Sequence, residues 1–310
     1  MIDLSDHLQK QVSTTLLTTF GVGGLADYYL AVKNADELIA AVKLARSRHW
    51  SYFILAGGSN VIFPERYRGL LIHWLPQTGQ PKVLASRRVM CEAGLSLGKL
   101  IVFVNRRGLA GLETLADIPG TVGGAVVGNA GAYGRTVSEV VRRVEIFDGQ
   151  RRRFIGARAC RFAYRHSVFK ERPWLVLQVE MEFAAGKPRT LAKRSREITI
   201  LRRQRYLPTM RCPGSYFKNV LAKEASVATR RLIPPEKIIG GKIPAGYLLE
   251  SVGALGRREG GVEVSDFHGN LFINRGNATI KDVKKLSGDL KRLVQQKFGI
   301  KLEEEVRYAG

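Results

Sequence analysis

Residues 118–134 read IPGTVGGAVVGNAGAYG, and this stretch says more about the fold than any other in the 310-residue chain. It contains six glycines in seventeen residues and no Asp, Glu, Lys or Arg. A flexible linker would carry Ser, Lys or Glu between its glycines, whereas this stretch carries Ile, Val and Ala. The pattern therefore predicts a packed segment whose glycines allow another backbone or a ligand to approach closely.

A second glycine-rich turn is AGGSN at residues 56–60, into which a predicted buried strand, SYFILAGG at 51–58, runs. Successive backbone amides of Gly, Ser and Asn can line a concave nest for a diphosphate. Missing Cβ atoms also let a bulky ligand lie against the main chain. Either motif alone is also consistent with a tight structural turn, but the two together favour a large, neutral-to-anionic cofactor.

The composition is that of a globular chain with a strongly basic balance. Apolar residues make up 45% of the chain and charged residues 25%, which excludes wholesale disorder, and the length suggests two or three domains. Lys and Arg number 50 against 27 Asp and Glu, a net charge of +23. This excess is concentrated in residues 151–170 and 187–212. It favours phosphorylated ligands, nucleic acid or acidic membrane surfaces as partners, although a solvated basic face explains most of it without any function.

Several protein classes are disfavoured by motifs that the sequence lacks. Cys91, Cys160 and Cys212 form no CxxC pair and the first ten residues, MIDLSDHLQK, do not resemble a secretory signal, so we expect a reduced, cytoplasmic setting. No apolar run approaches the roughly 20 residues that cross a bilayer. The five histidines form no HExxH motif, so we expect no metal site.

Two nucleotide-binding motifs are also disfavoured. GVGGLA at residues 21–26 fits the letters GxGxxA, but a dinucleotide fingerprint must follow a strand and open a helix. Here the next residues, DYYLAV, have the pattern of a strand. No GxxxxGK[ST] sequence occurs, which argues against a P-loop enzyme.

Strands and helices are predicted on both sides of the glycine-rich segments. Strands are expected at 28–33, 142–147 and 174–183, and a helix at 96–107. Residues 187–206 are expected to begin as a linker and to turn into a basic helix. A further helix is expected after Asn34, whose side chain can cap it, with Glu37 reaching back. The last helix is expected to begin at Thr279, with Asp282 as its capping partner. Its buried stripe would consist of Val283, Leu286, Leu290, Leu293, Val294 and Phe298.

Eight segments follow one another in order from about residue 17 to residue 310: TTFGVGG (18–24), LAGGSNVIF (55–63), GLETLADIPGTVGGAVVGNAGAYG (111–134), CRFAYRHSVFK (160–170), GSYFKN (214–219), AGYLLESVGALG (245–256), HGNLFINRGNAT (268–279) and LEEEVRYAG (302–310). Taken together, the eight segments resemble the UDP-N-acetylenolpyruvoylglucosamine reductase family. Eight matches at family-like spacing are far more specific than any one of them.

The resemblance implies an α+β fold. Its FAD-binding part would be of the PCMH, or vanillyl-alcohol-oxidase, type in two subdomains, followed by a C-terminal α+β substrate-binding domain. We expect FAD-binding subdomain 1 over 1–66, subdomain 2 over 67–186 and the substrate-binding domain over 197–300. Residues 301–310 would form a tail that carries Glu305 back to the active site.

The resemblance also implies a reaction, the NADPH-dependent reduction of UDP-N-acetylglucosamine enolpyruvate to UDP-N-acetylmuramate in bacterial peptidoglycan precursor synthesis. Non-covalently bound FAD would accept hydride from NADPH and pass hydride from its N5 to C3 of the enol. Negative charge then develops at C2 and the pyruvyl carboxylate. Such chemistry requires a cation, an acid that carries a proton and a proton donor.

Three residues take these catalytic roles by the resemblance. Arg165 suits the carboxylate because a guanidinium stays charged and binds in two-point fashion. Glu305 would carry a proton near the developing charge, so we expect its pKa to be raised. Ser215 would give the proton to C2. Without the resemblance, Ser215 would be interpreted as a turn residue and Glu305 as an exposed acid.

The resemblance assigns binding residues as well. The expected substrate contacts are Tyr133, Arg205, Lys218, Asn219 and His268. The expected cofactor contacts are Ala56, Gly57, Gly58, Ser59, Asn60, Ile118, Pro119, Gly120, Thr121, Gly123, Gly124, Asn129, Ala130, Gly131 and Ala132.

The sequence departs from the family pattern at three places, one of which is FHGN at 267–270, where Lys-His-Ala-Asn is more usual. The segment after YRHSVFK runs directly to GKPRT and lacks the longer insertion with a substrate-clamping tyrosine, so the chain resembles the shorter branch of the family. YLPTMRCP, at 206–213, stands where a loop containing Gln-Pro is usual. We expect a monomer with no membrane partner and no specific nucleic-acid partner.

Two other functions stay open at this point. A different FAD-dependent oxidase or dehydrogenase of the same FAD-binding fold would keep AGGSN and residues 118–134 but would not need GSYFKN or EEEVR. A basic nucleic-acid-binding protein is suggested by the net charge. However, aromatic residues are only 8% of the chain and the basic stretches lack an RNP or zinc-finger pattern.

Overall fold

The computed structural model describes residues 4–75 and 79–310. The predicted segments 1–66 and 67–186 each contain a few residues outside these ranges, namely 1–3 and 76–78. The α-helices are α1 Ala35–Ser47, α2 Leu97–Arg106, α3 Val122–Gly128, α4 Pro188–Arg203, α5 Val227–Arg231, α6 Ala245–Glu250 and α7 Ile280–Phe298.

Most strands are short, which fits a chain rich in glycine turns. They are β1 Gln9–Ser13, β2 Leu25–Val32, β3 Tyr52–Leu55, β4 Val61–Ile62, β5 Arg66–Trp74, β6 Lys82–Ala85, β7 Arg88–Glu92, β8 Leu109–Ala110, β9 Gly131–Ala132, β10 Arg135–Thr136, β11 Val141–Phe147, β12 Arg152–Gly156, β13 Leu175–Glu182, β14 Ala184–Ala185, β15 Val220–Leu221, β16 Lys242–Ile243, β17 Arg258–Glu259, β18 Val262–Val264, β19 Phe272–Asn274 and β20 Arg307–Tyr308. The described residues divide into two compact units.

The first unit comprises the described residues of 1–9, 28–57 and 69–205. Its main sheet is antiparallel, with strand order β12-β11-β13-β7-β6. α3 packs on β13 and β7, and α2 packs on α3 and α4. Alternating side chains of the central strands, such as Val144 and Val179, are fully buried in this core.

A four-stranded sheet has the order β1-β2-β5-β3, with β3 parallel to β5. The boundary between the two units falls within β1, β2 and β5.

The second unit comprises residues 10–27, 58–68 and 206–310. Its antiparallel sheet has the order β17-β18-β19, and α7 packs on this sheet and on α6. The rings of Tyr216 and Phe272 are stacked in its core at 4.1 Å between centroids. β20 pairs in parallel with β4, Arg307 opposite Val61, so the last strand is held by a segment near residue 60.

The predicted helix caps are confirmed. Asn34 accepts a hydrogen bond from the Glu37 N–H, although the Glu37 carboxylate accepts from the N–H of Lys33 rather than of Asn34. Thr279 and Asp282 form the reciprocal capping box of α7. Such caps contribute about 1 kcal/mol each.

The predicted apolar stripe of α7 is buried as expected, except that Leu293 is only half-buried. Residues 187–206 contain the expected basic helix, α4, but the linker expected before it is wrong, since α4 already begins at Pro188.

All three cysteines are buried and form no disulfide. Burial raises the pKa of Cys91 to about 12 and that of Cys160 to about 11. No helix in the described part of the chain is long and apolar enough to cross a membrane. Among residues 4–75 and 79–310, no cluster of three His, Cys, Asp or Glu side chains could hold a metal ion.

Candidate active site

The two glycine-rich segments meet in the first unit, at Gly57 and Gly120. A Cβ on Gly57 would lie 2.8 Å from the Cα of Gly120, which is closer than real Cβ contacts come. Gly120 itself has φ +112°, a conformation that favours glycine. The backbones of AGGSN and of residues 118–134 therefore touch at a point where neither can carry a side chain. The composition indicated close backbone approach, and the structure adds that the two segments approach each other.

The glycines of α3 serve two purposes. Gly123 faces the protein, because a Cβ there would lie 2.8 Å from the Cβ of Ala93. Gly124 and Gly128 are one helical turn apart and face outward: a Cβ on Gly128 would meet no heavy atom within 4 Å, and one on Gly124 only the Thr121 hydroxyl at 3.6 Å. α3 thus offers a face of bare backbone to a ligand.

The ends of α3 are fixed by its neighbours in sequence. The Thr121 hydroxyl caps the helix by accepting from the Gly124 N–H at 3.2 Å. Asn129 ends it in the left-handed conformation, with φ +42°. The Asn129 side chain is buried and its amide donates to the carbonyl of Ala163 at 2.8 Å. The Asn129 side chain therefore holds a neighbouring turn. Any contact of Asn129 with a cofactor would be made by its backbone atoms.

The turn that Asn129 holds presents Arg165. Ala163 and His166 exchange two backbone hydrogen bonds of 3.1 Å, which closes a tight turn around Tyr164 and Arg165. Arg165 lies in the left-handed region with φ +55°. A bulky residue in this region is strained and persists only when its surroundings hold it.

Two further hydrogen bonds hold the turn. The buried Ser167 hydroxyl donates to the carbonyl of Val127 in α3 at 2.7 Å, and the Lys170 ammonium donates to the carbonyl of Arg165 at 2.8 Å. The Arg165 guanidinium lies 5.6 Å from the centroid of the Tyr164 ring. Arg165 is thus fixed relative to the glycine-faced helix of the same unit.

Tyr133 lies at the tip of the small β9–β10 hairpin, with φ +50° and a side chain that is 45% exposed. Gly131 is required at the base of this hairpin, since a Cβ there would lie 2.5 Å from the carbonyl oxygen of Arg135. Arg205 is an exposed residue of the first unit, and its N–H donates to the carbonyl of Arg202 just past α4.

A buried chain of polar groups that the sequence did not reveal ends at the AGGSN turn. The Tyr29 hydroxyl is 3.0 Å from Nδ1 of His73, and the His73 ring also hydrogen-bonds the backbone of Ala56. Burial lowers the pKa of His73, against the opposing effect of the bond to Ala56. Leu55 pairs with His73 between β3 and β5, a register that no local motif predicts.

The AGGSN turn continues into the second unit at Gly58, whose φ is +60°. A Cβ on Gly58 would lie 2.1 Å from the carbonyl oxygen of Leu17, and the Gly58 carbonyl accepts from the N–H of Thr19 at 3.1 Å. The TTFG segment therefore packs directly on this half of the turn.

Ser215 and Glu305 occupy neighbouring backbones in the second unit. The N–H of Glu305 donates to the carbonyl of Tyr216, the residue after Ser215, at 2.8 Å, and Phe217 pairs with Glu304. The structure thus brings together two of the three predicted catalytic residues across 90 positions of sequence.

The GSYFKN segment is held by Asn270, which is buried and which the sequence did not single out. The Asn270 side chain accepts from the N–H of Phe217 and donates to the carbonyl of Phe217, both at 2.8 Å. Its backbone carbonyl accepts from the N–H of Tyr216 at 3.0 Å. The only signal in the sequence was the position of Asn270 within the HGNLF motif.

Three predicted substrate contacts lie in the second unit, two of them around α6. The Asn219 side chain accepts from the N–H of Ala245 at 3.0 Å, where α6 begins. The His268 ring packs on Gly246, where a Cβ would lie 2.7 Å from the ring, and its Nδ1 lies 3.5 Å from the Glu250 carboxylate. Lys218 is paired with the exposed Glu303 at 2.9 Å.

Comparison with known proteins identifies this architecture as that of an FAD-dependent oxidoreductase. The family model "FAD binding domain" matches residues 26–151, and "UDP-N-acetylenolpyruvoylglucosamine reductase, C-terminal domain" matches residues 207–309. The curated reductase of that name from Solibacter usitatus is 41% identical over 298 residues, covering 96% of this chain and 95% of its own. The chain belongs to the UDP-N-acetylenolpyruvoylglucosamine reductase family.

Two further relatives support this. The reductase from Gloeobacter violaceus is 32% identical over 311 residues, covering 99% of this chain and 98% of its own. The crystal structure of the reductase from Thermus caldophilus matches with a TM-score of 0.75 and 28% identity, covering 98% of this chain and all of the other. The resemblance and the fold class inferred from the sequence are thereby confirmed.

The residues of the first unit fit FAD. The contact of Gly57 with Gly120 and the open backbone at Gly124 and Gly128 leave main-chain surface free of side chains. Such a surface suits a large ligand with a flat ring system. The individual cofactor and substrate contacts remain predictions.

Proposed function

We propose that this protein reduces UDP-N-acetylglucosamine enolpyruvate to UDP-N-acetylmuramate, with FAD as its cofactor and NADPH as the source of hydride. Family membership over nearly the full chain supports the reaction. The observation that supports the mechanism is the hydrogen bond of 2.8 Å from the Glu305 N–H to the carbonyl of Tyr216, because it makes the backbone of Glu305 a neighbour of the residue that follows Ser215.

FAD, when bound, supplies the hydride that reduces C3 of the enolpyruvyl group. The residues proposed to hold it are those of AGGSN and of 118–132. In the first unit, main-chain atoms rather than charged side chains carry this role, because the glycines there expose backbone.

Arg165 binds the pyruvyl carboxylate in this proposal. Its guanidinium stays charged and can form two parallel hydrogen bonds with a carboxylate. The strained turn held by Asn129 and Ser167 orients the side chain before substrate arrives. Preorganisation of this kind avoids the cost of ordering a long side chain during the reaction.

Ser215 donates a proton to C2, and Glu305 stabilises the charge that develops beside it. A serine hydroxyl is a weak acid, so it serves only when it is held in place and when its proton is replaced. Asn270 supplies the first condition by fixing the backbone that follows Ser215. Glu305 is useful in its protonated form, which requires a raised pKa.

The test is anaerobic mixing of the NADPH-reduced protein with the enolpyruvyl nucleotide while the flavin absorption is followed. We expect rapid return of the oxidised spectrum with formation of UDP-N-acetylmuramate. UDP-N-acetylglucosamine, which lacks the enol, is the matched control and should leave the flavin reduced. Reoxidation by oxygen with turnover of small alcohols, and no response to the enolpyruvyl nucleotide, would instead identify another oxidase of this fold.

A cytoplasmic location and a monomeric state are part of this proposal. The buried, unpaired cysteines are consistent with a reducing compartment. Sedimentation equilibrium of the FAD-bound protein tests the oligomeric state, with a mass near that of one chain as the expected result.

A further inference from the structure

The hydroxyl of Tyr206 lies 2.9 Å from Oγ of Ser215, within the second unit. The Tyr206 ring is half-buried against a small apolar cluster formed by Cys212, Leu271 and Ile273. Ser215 itself pairs with Leu271 through a backbone bridge. Tyr206 thus packs on the cluster that contains Leu271, the residue with which Ser215 forms its backbone bridge.

We propose that Tyr206 is the positioning residue for Ser215, orienting its hydroxyl and replacing its proton during turnover. This inference rests on the function proposed above, in which Ser215 protonates C2. When the Tyr206 hydroxyl donates to Ser215 Oγ, the Ser215 proton cannot point back at Tyr206 and is left for another acceptor. A substrate carbanion is that acceptor in the proposed reaction.

The proton transfer balances without any further reactant except water. The Ser215 Oγ–H bond breaks as the C2–H bond forms, and the Tyr206 Oη–H proton moves to Ser215 Oγ in the same step. The tyrosinate that remains then takes a proton from water. A phenol is a far stronger acid than an aliphatic alcohol, so this route avoids a free serine alkoxide.

Partial exposure of Tyr206 suits the last of these transfers. A fully buried tyrosinate would be costly and cut off from water, as the buried Tyr216 illustrates, since burial raises the pKa of its hydroxyl. Tyr206 is only half-buried, and in this proposal its hydroxyl takes the replacement proton from solvent.

The first experiment compares the two half-reactions of Tyr206→Phe with those of the unsubstituted protein. Phenylalanine keeps the ring on Leu271 and Ile273 and removes only the hydroxyl. Flavin reduction by NADPH and the dissociation constant of the enolpyruvyl nucleotide should stay within about two-fold, while flavin reoxidation slows about ten-fold, the equivalent of one lost hydrogen bond. Tyr28→Phe, at a ring stacked on Trp50 in the first unit, is the matched control and should change neither rate.

The second experiment separates a proton relay from a packing effect. For the unsubstituted protein, the rate of reoxidation is plotted against the deuterium fraction of H₂O–D₂O mixtures. The points should lie below the straight line that joins the rates in pure H₂O and pure D₂O, because two protons move in one step. In Tyr206→Phe the dependence should be linear. A linear dependence in the unsubstituted protein would overturn the relay.

A double-substitution cycle with Ser215→Ala completes the test. If Tyr206 acts through Ser215, adding Tyr206→Phe to Ser215→Ala should change reoxidation less than two-fold. Normal reoxidation in Tyr206→Phe alone, with slow reoxidation in Ser215→Ala, overturns this inference and leaves the proposed function standing. Normal reoxidation in Ser215→Ala, or none by the nucleotide in the unsubstituted protein, overturns both.

Replacement of Tyr206 by 3,5-difluorotyrosine provides a variant that keeps the hydrogen bond. Fluorination lowers the phenol pKa, so the loss of reoxidation rate at high pH should begin at lower pH than in the unsubstituted protein. An unchanged pH profile contradicts the relay, even if Tyr206→Phe proves too unstable to measure.

Discussion

The side-chain amide of Asn60 donates a hydrogen bond of 3.0 Å to the backbone carbonyl of Glu305, 245 positions later in the chain. The Asn60 carbonyl accepts a second bond of 3.0 Å from the N–H of Arg307. The last residue of the AGGSN turn therefore holds the C-terminal tail on both sides of Val306, directly after Glu305. The turn that the sequence assigns to the cofactor also positions the proposed acid.

Asn60→Ala should loosen the tail. Loss of the bond to Glu305 should lower the free energy of unfolding by about 1 kcal/mol and slow flavin reoxidation by substrate, while reduction by NADPH changes little. Stopped-flow spectroscopy and urea unfolding measure these effects. Asn34→Ala, which removes the α1 cap, should cost similar stability without slowing reoxidation. Equal slowing in both variants would show that Asn60 acts through stability alone.

Glu305→Gln should slow reoxidation by about a hundred-fold, since it removes an ionisable proton at the developing charge. The amide keeps the size of the side chain and the backbone bond to Tyr216. Glu304→Gln, at a carboxylate that pairs with Lys291 at 3.5 Å, is the neighbouring control. Turnover at the normal rate in Glu305→Gln would remove Glu305 from the site.

Arg165→Lys should keep the positive charge but lose the two-point geometry. We expect weaker binding of the enolpyruvyl nucleotide and reoxidation slower by about ten-fold or more. Isothermal titration and single-turnover rates give the two quantities. Arg161→Lys alters a guanidinium whose partner is Glu171, at 2.8 Å, and should have little effect. The assignment fails if the two variants behave alike.

Gly57→Ala should impair FAD binding, because the new Cβ would lie 2.8 Å from the Cα of Gly120 and push the two glycine-rich segments apart. Overpacking of this kind costs about 1–3 kcal/mol, so the dissociation constant of FAD should rise at least about ten-fold. Flavin fluorescence during titration measures it. Gly156→Ala places a methyl group where nothing lies within 4 Å and should bind FAD normally.

His73 should make the first unit sensitive to mild acid. Burial depresses its pKa in the folded state, so the unfolded state binds the proton more readily. Its contribution to stability is complete above the unfolded pKa of about 6.5 and is lost as the pH falls towards the folded value. The free energy of unfolding should therefore fall between pH 7.5 and 5, and this fall should be smaller in His73→Gln. Identical pH dependence in the two proteins would exclude His73 as its source.

Local features of the fold were predictable from the sequence. The helix caps at Asn34 and Thr279 each form a hydrogen bond with a residue three positions later, so the local sequence is sufficient to predict them. Close backbone approach at the glycines of residues 118–134 was also indicated, although the contact of Gly57 with Gly120 in particular was not.

Long-range partners were not predictable. The bonds of Asn60 to Glu305 and of Asn129 to Ala163 depend on how distant segments pack, which hydrophobic periodicity does not encode. The same holds for the His73 network, where a strand register brings the ring to Ala56. Family resemblance supplied the proposed roles, whereas the hydrogen bonds that position those residues came from the structure.

Because all three thiols are buried, the folded protein should react slowly with thiol reagents. Alkylating reagents attack the thiolate, and the raised pKa values of Cys91 and Cys160 keep that form scarce at neutral pH. A single cysteine introduced at the exposed Tyr133 position would then carry a fluorescent label alone. If the native thiols became reactive, this would indicate that one of the two units had locally unfolded.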